Sequence, residues 1–122
     1  MPPSKLEAQF ELPYPPTVNH YWGRRGNQTY IKPDGRKFRN AVAAILHYDR
    51  CEKQLGPLEV DVKVFPPDRR RRDIDNISKA LLDALEHGGA YENDNQIVKL
   101  TIERGERIEG GKTIVRIKGR NQ

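Results

Sequence analysis

The chain has 122 residues and a formal net charge of +5, which suits one small domain and favours a polyanionic partner only weakly. Its single cysteine excludes an internal disulfide. The sequence shows no signal segment and no apolar run of the roughly 20 residues that a membrane helix needs. We therefore expect one domain over residues 1–122, located in a reducing cytoplasm without a membrane partner, with residues 1–7 frayed.

Hydrophobic periodicity predicts the elements in chain order. These are strand 8–12, a helix of about 36–53, strand 58–64, a helix of about 74–87, strand 98–102 and strand 113–117. Residues 15–26 have no period and are predicted to form a long loop with aromatics and arginines. Glycines between the last two strands predict an antiparallel hairpin. This order indicates an α+β fold: a single small domain with a mixed sheet of about four strands and two helices on one face.

The second helix carries acids and a lysine at its start. On a helical wheel, Asp75, Lys79 and Asp83 share a polar arc, while Asp73 lies at the helix entrance. Helix N-termini favour anions, so two aspartates taken alone are more often caps or dipole partners. Asp75 and Lys79 are likewise spaced for an ordinary surface ion pair, and Asp83 for a solvated position.

Neighbouring charges favour a second interpretation. Four arginines, Arg69 to Arg72, directly precede the aspartates. Arginines attract phosphates and carboxylates repel them, so acids at the centre of a basic surface suggest a divalent cation between acid and phosphate. We expect the strand after the helix to run back along it and bring Asp94 beside the helix start; otherwise Asp94 is a turn residue. Three carboxylates supply ligands for one or two Mg²⁺ ions.

The predicted loop offers further contacts to nucleic acid. Tyr21, Trp22, Arg24 and Arg25 either stack on unpaired bases, or the two aromatics simply cover a small core. The Arg69–Arg72 run is either a phosphate-binding segment or a solvated charge run. Together these features predict a metal-dependent nuclease.

These residues resemble a known family, the RusA-type Holliday junction resolvases, which are homodimeric endonucleases of phage and prophage origin. The resemblance rests on Pro67-Asp68-Arg69-Arg70-Arg71-Arg72-Asp73, Asp75-Asn76, Lys79, Asp83-Ala84-Leu85, Asp94-Asn95-Gln96-Ile97-Val98, and Leu12-Pro13-Tyr14-Pro15-Pro16 followed by Asn19 and Tyr21. It covers nearly the whole chain. The family often has two adjacent acids where this chain has Asn93-Asp94, which leaves Asp94 as the candidate there.

The resemblance implies cleavage of four-way DNA junctions by paired nicks during recombination and repair. It implies Mg²⁺, for which Mn²⁺ can substitute, held by Asp73, Asp75 and Asp94, with Lys79 as the essential lysine. A symmetric dimer would supply two active sites for two nicks. We expect DNA contacts from Arg69, Arg70, Arg71, Arg72, Asn19, Tyr21, Arg24 and Arg25. The alternatives are a less selective flap or fork nuclease and a non-catalytic DNA-binding accessory protein on the same fold.

Overall fold

The computed structural model describes residues 7–70 and 73–120. Within these residues the elements are β1 (Glu7–Leu12), α1 (Val18–Tyr21), β2 (Trp22–Arg25), β3 (Gln28–Ile31), α2 (Pro33–Tyr48), β4 (Leu58–Phe65), α3 (Asp75–His87), a 3₁₀ helix (Asp94–Gln96), β5 (Ile97–Arg104) and β6 (Lys112–Gly119). No helix in the described part of the chain is long and apolar enough to cross a membrane.

The main sheet has the strand order β1-β6-β4-β5. Strand β6 runs antiparallel to both β1 and β4, whereas β5 pairs with β4 in parallel, so the sheet is mixed as predicted. The predicted hairpin between the last two strands is wrong, because β6 lies between β1 and β4. After β5 the chain crosses the end of β4, where the Gly105 N–H donates to the Val64 oxygen at 2.8 Å.

One face of the sheet is buried and the other faces solvent. Leu58, Val60, Val62 and Val64 of β4 are buried, while Asp61 between them is exposed. The covering helices contribute buried apolar residues to the same core: Phe38, Val42 and Leu46 from α2, and Ile77, Leu81 and Leu85 from α3. Each such side chain stabilises the fold by roughly 1.5–3 kcal/mol through burial. The prediction of two main helices packed on one face is confirmed.

The region predicted as a loop has structure of its own. It contains α1 and begins a second, two-stranded sheet in which β2 pairs antiparallel with β3. The connection is Gly26-Asn27, with Gly26 at a positive φ of 62°, a pairing typical of tight hairpins. The helix predicted over about 36–53 begins earlier, at Pro33, where a missing N–H is tolerated. It ends before Asp49, and Arg50 has a φ of 55°.

The unit β4-α3-β5 positions the site. Since β4 and β5 are parallel, the chain must return along α3 from the end of one strand to the start of the next. The start of α3 therefore lies at the end of the sheet where β4 finishes. The segment that precedes β5 lies at the opposite end of the sheet. Helix α3 closes as predicted at Gly88-Gly89, with Gly89 at a φ of 92°.

Candidate nucleic-acid interface and active site

The two acids at the start of α3 are exposed. Helix α3 begins at Asp75, and its N-cap is Ile74, whose side chain makes no capping hydrogen bond. Asp73 precedes the cap, and its backbone oxygen accepts from the Asn76 N–H at 3.2 Å. Asp73 is therefore not the residue at the N-cap position. Both carboxylates lie at a helix N-terminus, where the helix dipole stabilises negative charge.

Asp94 lies at the other end of the same helix. Its N–H donates to Glu86 Oε1 at 3.0 Å, and Glu86 is in the last turn of α3. At 1.5 Å per residue, Asp75 and Glu86 are about 16 Å apart along the helix axis. Within residues 7–70 and 73–120, no three His, Cys, Asp or Glu side chains form a group able to hold a metal ion.

The expectation that Asp73, Asp75 and Asp94 converge on one point within the chain is therefore not met. The physical reason is the parallel pairing of β4 with β5. A strand that follows a helix in such a unit starts at the C-terminal end of the helix, and its far end returns to the helix start. Asp94 precedes that strand, so it lies at the C-terminal end of α3, away from Asp73 and Asp75. Whether these aspartates bind metal stays a prediction.

Lys79 lies one turn beyond Asp75 and is exposed. Its ammonium lies over the indole ring of Trp22, 5.4 Å from the ring centroid. The described part of the chain shows no ion pair between Asp75 and Lys79. Trp22 is half-buried and Lys79 is exposed. A cation–π contact at an exposed site contributes only about 0.5–1 kcal/mol, which leaves the lysine available to a phosphate.

An open cleft of about 800 Å³ lies between the β2–β3 hairpin, α1 and the start of α3. Its lining includes the amide residue Asn19, the cations Arg24, Lys32 and Lys79, and the aromatic residues Trp22 and Tyr30. A Cβ at Gly23 would come within 2.6 Å of the Tyr30 ring, so this ring lies directly over the glycine in the hairpin. The Lys32 ammonium donates to the Asn19 backbone oxygen at 2.8 Å and ties α1 to the hairpin. The cleft therefore contains both positively charged side chains and flat aromatic rings.

Tyr21 does not line this cleft, which corrects the expectation that it contacts DNA. Its side chain is fully buried, and its hydroxyl donates to Asp83 Oδ2. Arg39 donates to both partners, from Nε to the Tyr21 oxygen and from Nη2 to Asp83 Oδ2, each at 2.8 Å. The sequence left two interpretations of Tyr21 open, base stacking and core packing. The structure shows that Tyr21 packs in the core. Asp83 is a paired residue rather than a solvated one.

The environment of this Tyr21–Arg39–Asp83 network keeps the Tyr21 phenol protonated and the Arg39 guanidinium charged. Burial and the hydrogen bond to Asp83 raise the pKa of Tyr21 well above its usual range, so the phenol remains a donor. Burial lowers the pKa of Arg39, but the bonds to Asp83 and Tyr21 outweigh it and raise that pKa overall. The network joins α1, α2 and α3 one turn beyond Lys79. No local pattern links these three residues, so the sequence did not reveal the network.

The predicted arginines fall into two groups. Arg69 and Arg70 are exposed ahead of α3, and the Arg70 N–H donates to Asp68 Oδ1 at 2.8 Å. The predicted contacts of Arg71 and Arg72 lie outside the described residues. Arg24 and Arg25 are exposed on β2, and the Arg25 guanidinium lies 5.5 Å from the Tyr30 ring centroid. Arg69 and Arg70 thus precede the helix start along the chain, and Arg24 shares the cleft with Lys79.

This combination of exposed acids, an adjacent lysine and a cationic aromatic cleft on a small α+β fold is typical of a nucleic-acid-processing enzyme. Comparison with known proteins identifies the family to which this chain belongs. The model of the family described as "Endodeoxyribonuclease RusA" matches residues 13–118. The chain belongs to this family, as its motifs predicted.

Several relatives carry the name crossover junction endodeoxyribonuclease RusA. The protein of Enterobacteria phage HK97 is 43% identical over 112 residues, covering 91% of this chain and 93% of the relative. That of Enterobacteria phage 82 is 36% identical over 104 residues, covering 80% and 87%. That of Escherichia coli K12 is 35% identical over 104 residues, also covering 80% and 87%.

Proposed function

We propose that this chain is a crossover junction endodeoxyribonuclease, which resolves four-way DNA junctions by paired nicks during recombination and repair. The observation that carries the proposal is the family match over residues 13–118, which includes both acidic segments and the cleft. Phage and bacterial relatives of that name support a phage or prophage origin and action in a bacterial cytoplasm.

The proposal includes dependence on Mg²⁺, for which Mn²⁺ can substitute. Asp73 and Asp75 offer the hard carboxylate oxygens that Mg²⁺ prefers, and both are exposed at one helix start. The ion would polarise the scissile phosphate and lower the pKa of an attacking water. Asp94 fits this donor set by its chemistry but not by its place in a single chain, because α3 separates it from the other two.

The proposed homodimer offers a solution to that separation. Asp94 would serve as a ligand in the site of a second copy, whose Asp73 and Asp75 complete the set. Each of two symmetric sites would then contain residues of both copies, and a monomer would contain no complete site. Two such sites also match the two opposed nicks that a four-way junction requires.

Lys79 and the cleft account for substrate contacts in this proposal. Lys79 is one turn from Asp75, so its ammonium would stabilise negative charge on the scissile phosphate. Trp22 and Tyr30 present rings on which an unstacked base at the crossover would lie, and each stacked base contributes about 1–3 kcal/mol. Arg24 and Lys32 would bind the adjoining backbone. Base stacking is interrupted at a branch point, which favours branched over linear DNA.

The test compares three labelled substrates with the full-length protein: a synthetic four-way junction, a fork and a linear duplex. We expect symmetrical nicks on the junction, little cutting of linear duplex, and no cutting until Mg²⁺ or Mn²⁺ is added, although binding already occurs. Equal cutting of all three substrates would indicate an unselective nuclease. Binding without cutting at any divalent ion concentration would indicate the accessory DNA-binding protein instead.

A further inference from the structure

Tyr21 and Lys79 both contact the indole ring of Trp22, and they differ in how firmly they are held. The Tyr21 ring packs against the indole with 4.1 Å between the ring centroids, and the Lys79 ammonium lies 5.4 Å from the indole centroid. Tyr21 is fully buried, whereas Lys79 is exposed. A ligand that stacks on this ring therefore meets one neighbour that is fixed and one that can move.

The hydrogen bonds of Tyr21 fix the position of the indole. The Tyr21 hydroxyl donates to Asp83 Oδ2, and the Arg39 guanidinium donates to both of these groups. These bonds attach Tyr21, the last residue of α1, to α2 and to α3. Since Trp22 follows directly in the chain, its ring is held beside the turn of α3 that carries Lys79.

Lys79 rests on the indole without an ion pair. Within residues 7–70 and 73–120 its ammonium contacts no carboxylate, although Asp75 lies four residues earlier on the same helix. Side chains four residues apart on a helix are neighbours, so Lys79 can also reach a phosphate held beside Asp75. The ammonium cannot occupy both places at once. Its place over the indole is therefore a resting position with respect to the proposed chemistry.

We propose that Trp22 is a specificity-determining residue: a base whose stacking is interrupted at the branch point takes the place of Lys79 on the indole, and the displaced ammonium moves to the scissile phosphate. On linear duplex every base stays in the stack, so the ammonium stays on the ring for most of the time. The inference rests on the proposed function. It adds that the branch point is recognised in the chemical step as well as in binding.

The strengths of the two contacts favour this exchange. A cation over an exposed aromatic ring gains a factor of about 2–5 in population, whereas a base stacked on an aromatic side chain gains a factor of about 5–150. The base therefore matches or outcompetes the ammonium. With a preference of about 2–5 for the ring, the ammonium is off the ring in about one sixth to one third of molecules. Its complete release should therefore accelerate the chemical step about 3–6-fold.

Tyr30 is a second ring in the same cleft and offers a matched comparison. It lies over Gly23, and its cationic neighbour is Arg25, whose guanidinium is 5.5 Å from the ring centroid. Arg25 belongs to β2 rather than to α3, so a base that displaces it releases no group on the helix of Asp75. Loss of Tyr30 therefore removes a stacking surface without releasing the lysine of α3.

The first test measures single-turnover nicking of linear duplex by the full-length protein, at saturating protein concentration and with Mg²⁺. Trp22→Leu removes the ring but keeps an apolar side chain, and circular dichroism checks that the variant is folded. We expect it to nick bound duplex about 3–6-fold faster than the wild type. Adding Lys79→Met should abolish this gain, because Trp22 acts through that lysine.

Two further variants serve as controls. Trp22→Phe keeps an aromatic ring, so its gain in duplex nicking should stay below about twofold. Tyr30→Ala should weaken binding to the junction without raising duplex nicking, because it does not release Lys79. Equal gains for Trp22→Leu and Tyr30→Ala would show that the cleft acts only through binding and would overturn the proposal.

Proton NMR follows Lys79 directly, without divalent ions and without cleavage. The ring current of an indole shifts the ε-methylene protons of a lysine over its face upfield, and Lys79→Met identifies this resonance by its loss. We expect the upfield shift in the free wild type and its absence in Trp22→Leu. Bound four-way junction should return the resonance to the ordinary lysine position, whereas bound linear duplex should leave it shifted.

Duplex nicking by Trp22→Leu at the wild-type rate would overturn the proposal, as would an upfield shift that bound junction leaves unchanged. These results are distinct from those that test the proposed function. If the junction is cut selectively while Lys79 stays over the ring, the function stands and the exchange is wrong. If bound junction releases Lys79 but no DNA is cut at any Mg²⁺ concentration, the exchange stands and the nuclease proposal fails.

Discussion

Replacement of Asp83 should destabilise the protein. It should also weaken the attachment of α1, which lines the cleft, to α2 and α3. Asp83 Oδ2 accepts hydrogen bonds from the Tyr21 hydroxyl and from Arg39, whose Nη2 lies at 2.8 Å and Nε at 3.0 Å. The side chains of Arg39 and Asp83 are 24% and 30% exposed, so solvent screens the pair only in part. Asp83→Ala removes all of these contacts and leaves the partly buried guanidinium with the Tyr21 oxygen as its remaining partner.

The expected cost is about 3 kcal/mol of unfolding free energy. Hydrogen bonds to charged groups contribute about 1.5–3 kcal/mol each when well formed, and partial exposure reduces the sum of these three. With an unfolding entropy of about 2.1 cal/mol/K per residue over a chain of 122 residues, the melting temperature should fall by about 12 °C. Tyr21→Phe removes only the hydroxyl and should cost about 1–2 kcal/mol.

Urea unfolding followed by the fluorescence of Trp22 is a suitable assay, because this is the single tryptophan and its ring centroid lies 4.1 Å from that of Tyr21. Tyr21→Phe with Asp83→Ala should cost less than the sum of the two single changes, by about 1 kcal/mol, since both remove one shared bond. A loss below about 0.5 kcal/mol for Asp83→Ala would refute the assigned role of the network. Strict additivity would refute the coupling.

The remaining predictions concern catalysis, DNA contacts and pH. Asp75→Asn should abolish junction cleavage in Mg²⁺ while binding stays equal or tightens, because one phosphate-repelling charge is lost; cutting at the wild-type rate would remove Asp75 from the site. Trp22→Ala should weaken binding to the junction by about 1–3 kcal/mol and binding to linear duplex much less, as measured by anisotropy. Alanine at Arg69 and Arg70 should reduce the slope of log K against log salt by about 0.9 per lost phosphate contact, and an unchanged slope would show that they do not meet phosphate. Burial raises the folded-state pKa of Tyr91 above its unfolded value, so its stabilising contribution is complete below about pH 10 and is lost as the pH rises further. Unfolding free energies at pH 9 to 11 should therefore fall more steeply for the wild type than for Tyr91→Phe.

Local patterns in the sequence predicted the features that depend on neighbours along the chain. Alternation located β4, because one face of that strand is buried and the other is solvated. Helical spacing and the Gly88-Gly89 stop located α3 to within one residue at its start. Charges clustered within one turn identified the candidate site around Asp75, and the motif spacing identified the family.

Contacts between distant segments were decided by the tertiary structure alone. Alternation shows that β5 and β6 each have an apolar face, but it does not encode which strand lies beside them, and β6 inserts between β1 and β4. That insertion leaves β5 parallel to β4 and holds Asp94 at the far end of α3 from Asp75. The burial of Tyr21 depends likewise on partners 18 and 62 residues away. The sequence by itself therefore determined the elements and the chemistry of the candidate site, while long-range strand pairing and packing decided which of its residues meet within one chain.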